Sequence, residues 1–547
     1  MEVTEILQKH VMNEGQRKLL ELLKRFDASC RENGITYYLG GGTALGAVRH
    51  GGFLPWDDDV DLYITRKEYK KLLAARENIF TDDFILVVAR EYKYYGNVLT
   101  RMVDTHSTAI TKARIVDGTP KGQFLEFFVM DPIPRDPAER DLWLTKHWIY
   151  TELLAPTYVV ANERIYPWIN EALYREYRQR YAEEGRDAVL DELEQELFTI
   201  PEEEADQYCS AWGLRNLFYD IDWYGTPRYV PFQDTVLPVP SKAENVLRFD
   251  YGDSWMYIPE GQDQITHSLT SSMTIPYRYF TEDYLQYLDP EEVREIYPDR
   301  ADAQVEVFFK KMATNRRVQT LKQAAVAASL RYNAKNIDLE KAVSEKDYDA
   351  IRSFYTAYYD NQLYAAFWKW TTYLEIGDGH LFYAMLPLLI SGDFSKVLKI
   401  TTWRKNADPM PLEERLDKLV KLADAVRNVY IAIDNKDLDE ARRQLACAKA
   451  LPFAEDQYDC RYLSIVLDKE DADTPEKAKA VYERAAALEA EFPGKGEILC
   501  QMADVCYAAG DTDKAEELYV RAFEGTRHGI IRMHIQDVLG EIEEAKQ

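Results

Sequence analysis

The sequence predicts two architectures in one chain: an α/β domain with a mixed sheet, then an all-α helical-repeat domain. Three observations carry this. Apolar segments switch between the period of a strand and that of a helix from Val3 to Pro134. Beyond about position 336 the strand-like segments stop, and short acidic helix starts recur at spacings from the high thirties to the mid forties. At 547 residues the chain is also too long for a single core.

Val3, Ile6, Leu7, Val11, Leu19, Leu20, Leu22, Leu23 and Phe26 recur at helical spacing, predicting one or two amphipathic helices over 3–33 that Asn33-Gly34 closes. Ile35 to Leu39 reads as a short strand entering Gly40-Gly41-Gly42, Thr43 to His50 as a short helix, and Gly51-Gly52 as a turn. Asp59 to Ile64 is a second strand and Arg66 to Asn78 a helix. Phe84 to Ala89, Asn97 to Val103 and Phe124 to Met130 are further strands. From Pro137 to about Asp220 the pattern is helical and aromatic-rich, and Tyr224 to Trp255 is turn-rich and β-like. The expected domains are 1–285, a helical connector over 286–335, and helical repeats over 336–547.

The repeat starts are Lys346-Asp347-Tyr348, Gly392-Asp393-Phe394, Lys436-Asp437-Leu438, Asp473-Thr474-Pro475 and Gly510-Asp511-Thr512. Each ends one apolar helix pattern and opens another. The last copy, Met502 to Phe523, resembles a tetratricopeptide repeat.

Composition excludes several classes. With 46% hydrophobic and 29% charged residues the chain is globular, and a net charge of −27 argues against binding nucleic acid. Six cysteines without a CxxC pair predict buried free thiols, not zinc or disulfides. The N-terminus lacks a signal-peptide pattern, and the longest apolar run, Leu381 to Ile390, is interrupted by Pro387. A cytoplasmic protein without a transmembrane segment is expected.

On a strand alternate residues share a face, so Val60, Leu62 and Ile64 would face the core while Asp59 and Asp61 project from the other side. Two carboxylates so close repel unless a cation intervenes, and Mg²⁺ (or Mn²⁺) suits such oxygen ligands. Trp56-Asp57-Asp58-Asp59 alone would read as a solvated turn. The glycine turn before it changes the reading, because Gly41, Gly42 and Thr43 open a helix where backbone N–H groups can meet a phosphate. A third acid is expected nearby, and Glu126 fits, being charged in an otherwise apolar strand. Asp131 is its nearest competitor, but Pro132 and Pro134 would place it in the exit turn.

The run Leu39 to His50, followed by Gly52-Phe53-Leu54-Pro55-Trp56-Asp57-Asp58-Asp59-Val60-Asp61-Leu62, resembles the signature of the LicD family, phosphotransferases related to fukutin-type proteins. The resemblance continues through Arg101-Met102-Val103-Asp104 with Thr108, Gly122 to Pro134, and Pro238-Val239-Pro240 with Tyr251-Gly252-Asp253, covering roughly the first half of the chain. It implies a nucleotidyltransferase-like fold of the polymerase-beta type. The implied activity moves a phospho-alcohol, such as phosphocholine or ribitol phosphate, from a CDP-linked donor to a sugar hydroxyl of a surface glycan or its precursor. The protein would then act before export or at the inner membrane face. Carried over, Asp59 and Asp61 bind the metal. Glu126 stands where the family usually has aspartate, one methylene longer, and would take the acceptor's proton. Arg49 and Arg101 are either phosphate partners or ion pairs.

Two other readings stay open: a nucleotidyltransferase acting on a sugar, small molecule or protein, and an inactive domain carrying a partner-binding repeat module. Retention of acids at 59, 61 and 126 argues against the latter. A protein partner for the repeats is expected on either view of the catalytic half. The aromatic clusters Tyr92 to Tyr95 and Phe367 to Trp370 read as packing. The histidines form no ligand spacing, and His50 alone lies close to the site in sequence.

Overall fold

The computed structural model describes residues 2–7, 11–92, 95, 98–111, 118–154, 170–210, 218–259, 268–285, 317–318, 321–322, 324–359 and 376–546. Much of the expected connector, and the cluster Phe367 to Trp370, lie outside the described residues.

In chain order the first half contains α1 (Val3–Ile6), α2 (Glu14–Asn33), β1 (Tyr38–Leu39), α3 (Gly41–His50), β2 (Asp61–Thr65), α4 (Arg66–Ala74), α5 (Arg76–Ile79), β3 (Phe84–Val87), β4 (Thr100–Asp104), β5 (Thr108–Thr111) and β6 (Phe124–Pro132). Then come α6 (Pro137–Leu154), α7 (Glu171–Glu184), α8 (Arg186–Leu197), β7 (Gln207–Ser210), β8 (Phe218–Asp220), β9 (Arg228–Phe232), β10 (Thr235–Val239), α9 (Ala243–Tyr251), β11 (Ser268–Ser272) and α10 (Tyr277–Leu285).

Seven strands form one mixed sheet in the order β1-β2-β6-β4-β3, with β7 on β6 and β8 on β7. β2 and β6 run parallel; the other pairs are antiparallel. Val60, Leu62 and Ile64 are fully buried, as the alternation predicts, and join Leu125, Phe127 and the α2 residues Leu22, Leu23 and Phe26 in one core. The Phe26 and Phe127 rings meet edge-on at 5.0 Å. Each such side chain contributes about 1.5–3 kcal/mol on burial. α2 begins at Asn13, whose side chain accepts from Gln16 N, and stops at Gly34, which adopts the left-handed conformation that glycine favours.

Several bounds differ from expectation. β2 starts at Asp61, two residues late, because Asp57 to Asp59 belong to the loop after Pro55-Trp56. The expected helix over 66–78 is divided at Ala75. β6 continues to Pro132, so Asp131 is a strand residue. Its charge is neutralised there by Arg66, which donates from Nε (2.5 Å) and from the second terminal nitrogen (2.8 Å). β5 and β11, rich in Ser and Thr, form a separate two-stranded ribbon that no apolar alternation announces.

Among the described residues the second half has helices alone as its regular structure: residues 324–333 are helical, followed by α11 (Leu339–Ser344), α12 (Tyr348–Phe354), α13 (Asp378–Ile390), α14 (Phe394–Ala407), α15 (Glu414–Asp434), α16 (Leu438–Lys449), α17 (Tyr458–Glu470), α18 (Pro475–Glu491), α19 (Gly496–Ala508), α20 (Thr512–Gly525) and α21 (Gly529–Lys546). The recurrent acids are helix caps. Asp347, Asp437, Thr474 and Asp511 each accept from the N–H three residues on, worth about 1 kcal/mol apiece. Before three of these four caps stands a left-handed residue, Lys346, Lys436 and Gly510, and Gly392 likewise precedes Asp393 at the start of α14. The recurring motif is thus a left-handed turn followed by a cap. One apolar core runs through these helices and takes in Ile6 of α1.

Asp504 ties four of the helices together, accepting from Lys469, Tyr519 and His534. Five cysteines are buried and Cys447 is exposed; none is paired in a disulfide. Among the described residues no helix is long and apolar enough to cross a membrane.

Candidate active site

β1 ends at Leu39, the chain turns at Gly40, and α3 begins at Gly41. The turn is fastened to the first residue of β2 from both sides. Gly40 N donates to Asp61 O (2.9 Å), and Asp61 N donates to Thr43 Oγ1 (3.0 Å). The glycines are then dictated by what lies against them. A Cβ on Gly40 would stand 2.7 Å from the Tyr63 ring, on Gly41 2.5 Å from Asp61 Oδ2, and on Gly42 2.9 Å from Asp57 Oδ2. Gly41 also has a φ of 46°, which side chains disfavour. Gly41 and Gly42 therefore admit carboxylates against the start of α3, and Gly40 admits the Tyr63 ring.

Strand register adds the next two residues. Asp61 pairs with Glu126 across β2 and β6, and Glu126 pairs with Arg101 across β6 and β4. Paired residues share a sheet face, so the three side chains stand in one line. Arg101 Nε donates to Glu126 Oε1 at 2.5 Å, and the guanidinium lies 4.0 Å from the Phe124 ring centre. Both partners are buried.

Burial, followed by the charges of Asp59, Glu126 and Asp57, holds the Asp61 carboxyl well above the usual carboxylate range, with Arg101 pulling the other way. Asp59 exerts this effect from the loop, not from the pleat. Asp57, Asp58 and Asp59 have oxygens within 4.8 Å of one another. A half-buried acid facing several like charges and one guanidinium is relieved by a divalent cation. The donors are all hard oxygens, so the residues present fit such an ion.

A second group with ligand atoms within 4.8 Å, Cys500, Asp504 and His534, differs. There Lys469 sits on the carboxylate at 2.5 Å and supplies the positive charge itself.

The structure brings Asp59, Asp61, Glu126, Arg101, Gly41, Gly42 and Thr43 together. Arg49 is engaged elsewhere, at the far end of α3. One terminal nitrogen donates to Trp255 O (2.8 Å) and Tyr257 O (3.0 Å), and burial brings its guanidinium down to about 10. His50 packs edge-on against Trp56.

Two further residues escaped sequence reasoning. Asp57 was legible only as part of an acidic run. Tyr251 closes α9, and its hydroxyl proton is held more tightly through partial burial and the charges of Asp250, Asp61, Asp57 and Asp59, which sets the phenol in the field of the acids. Its place in Tyr251-Gly252-Asp253 was the available signal. Beside it, burial pushes Asp250 up to about 7, against hydrogen bonds from Tyr219 and Tyr63.

Residues 34–130 match the family model described as LicD/FKTN/FKRP, nucleotidyltransferase domain. This stretch is a LicD-family domain. The match spans the glycine turn, Asp57 to Asp61, Arg101 and Glu126. The chain is also 33% identical over 132 residues to the lipopolysaccharide cholinephosphotransferase LicD of Haemophilus influenzae, covering 24% of this chain and 48% of that protein. It thus spans about half the length of that relative. An uncharacterized protein of Rickettsia prowazekii is 42% identical over 50 residues, 9% of this chain and 19% of the relative. One of Rickettsia typhi matches equally over 9% of this chain and 16% of its own length. In the LicD domain the observed line Asp61, Glu126, Arg101 thus lies wholly within the matched segment.

Proposed function

We propose that the protein is a metal-dependent transferase that moves a phospho-alcohol, phosphocholine or a close analogue, from a CDP-linked donor to a sugar hydroxyl of a surface glycan or its precursor. The observation that carries this is the seating of Asp57 and Asp61 against the glycine turn, with Glu126 and Arg101 in register beside them. The likeness to a lipopolysaccharide cholinephosphotransferase supplies the class of transferred group.

In this reading Asp57, Asp59 and Asp61 hold Mg²⁺ or Mn²⁺, with Glu126 completing the set. When bound, that ion neutralises charge on the donor diphosphate and on the departing CMP. The N–H groups of Gly41, Gly42 and Thr43 at the start of α3 receive phosphate oxygens. Thr43 keeps Asp61 in place through its hydroxyl. Arg101 orients Glu126, which takes the proton of the attacking hydroxyl, and the Tyr251 phenol borders the acceptor side. Asp61→Asn is expected to lower CMP release from CDP-choline by a factor of at least about 10³ while the far-UV spectrum stays unchanged. Unchanged turnover in that variant would overturn the assignment.

The description of the matched family model as a nucleotidyltransferase domain favours a second reading, transfer of a nucleotidyl group. The products separate the two. Phospho-alcohol transfer releases CMP from CDP-choline, whereas nucleotidyl transfer releases pyrophosphate from a nucleoside triphosphate.

A further inference from the structure

We infer that the C-terminal helical array is a structural part of the active site: α21 grips the far end of α3 and thereby keeps the glycine turn seated on Asp57 and Asp61. The grip is made by main chain as well as side chains. Ile258 N donates to Arg527 O (2.7 Å), and Gly529 N donates to Met256 O (2.8 Å), which bridges Tyr257 to His528. Arg49, in the last turn of α3, binds the carbonyls of Trp255 and Tyr257 in this same bridge. Gly529 opens α21 directly on Arg49. A Cβ there would lie 2.3 Å from Arg49 Cγ and 2.9 Å from Arg49 O.

A second tie reaches the array through α9, which packs on α3. Arg248, almost fully buried, pairs with Asp434 of α15 (2.6 Å) and with Asp253 (3.3 Å). Asp253 in turn accepts from Ser395 N (2.5 Å) and Arg427 Nε (3.2 Å). Such buried main-chain and charge contacts belong to a permanent junction, unlike the polar surfaces of loosely tethered domains.

α3 has ten residues and acts as a short rod about 15 Å long. One end is bonded to Asp61 and the other is held by α21. Displacing the held end tilts the turn against the carboxylates, and misplacement by about 1 Å at a reacting centre costs roughly a hundredfold in rate. Arg49 is thus a positioning residue, and the array surface around Gly529 and Asp434 is occupied by the chain's own catalytic half.

The test uses the full chain with two readouts. Hydrogen exchange of residues 41–50 needs no substrate, so it stands apart from the transferase reading; CMP release from CDP-choline rests on that reading. Gly529→Ala is expected to speed exchange across 41–50 by about tenfold or more and to lower kcat by a similar factor. Gly540→Ala lies on the same helix with nothing within 4 Å of the new methyl, and should change neither. Arg49→Ala deletes the bonds to the Trp255 and Tyr257 carbonyls without added bulk and should likewise raise exchange across 41–50, with Arg49→Lys restoring part of the protection. Asp434→Asn loosens the junction from α15 without added bulk and should also raise exchange across 41–50. Wild-type exchange across 41–50 in both Gly529→Ala and Asp434→Asn would overturn the inference.

Discussion

Replacing Gly41 by alanine isolates the contact on which the site is built. The new Cβ would lie 2.5 Å from Asp61 Oδ2, where ordinary contact begins at 3.4 Å, so the carboxylate must retreat by about 0.9 Å. A φ of 46° adds about 1–2 kcal/mol of backbone strain. Gly34 supplies the matched control, with a φ of 61° and nothing within 4 Å of an added Cβ. Gly34→Ala should therefore lose about 1–2 kcal/mol in urea unfolding and keep full activity. Gly41→Ala should lose a similar amount of stability, yet its CMP release should fall by about a hundredfold, because the acid itself has moved. Equal activity in the two variants would refute the claim that the glycine turn exists to seat Asp61.

Arg101→Leu leaves Glu126 buried beside Asp61 without its counter-charge, and should cost about 3–5 kcal/mol in urea unfolding. Added Mg²⁺ should return part of that loss by replacing the missing positive charge. Asp61 binds its proton more tightly folded than unfolded, so without metal its contribution to stability falls as pH rises above the unfolded value of about 4. Asp61→Asn should accordingly be the more stable protein at pH 8 in chelator and the less stable one in Mg²⁺, as read by thermal unfolding. His147, buried and stacked on Trp143 at 4.9 Å, should titrate at about 4 in its NMR ring signals. Burial opposes its charge, so the stability it confers when neutral is lost as pH falls below the ordinary histidine value.

The LicD domain was legible because its chemistry and its packing share one pattern. Val60, Leu62 and Ile64 announce the buried face of β2 by alternation, and the acids between and before them cannot be core. Glu126 was visible for the same reason, as a charge in an apolar strand. Its partner was not, since only the β4–β6 register sets Arg101 against it, and register is a property of two segments. Asp57 was hidden in a loop whose path no periodicity fixes. Sequence alone leaves Arg49 between phosphate partner and ion pair, and α3 carries it to the end of the helix away from the glycine turn, where Trp255, Tyr257 and Gly529 enclose it. In the array the capping acids were legible one by one, because a cap needs only its own turn. The docking of α21 on α3 joins segments some 480 residues apart, and nothing local records it.

Calorimetric titration of CDP-choline, with Mg²⁺ and with chelator, tests most directly whether the acids and the glycine turn form a single cation-dependent diphosphate site. Wild-type protein should bind the nucleotide only in Mg²⁺, and Asp61→Asn should bind it in neither condition. Equal binding by both proteins in chelator would contradict the account.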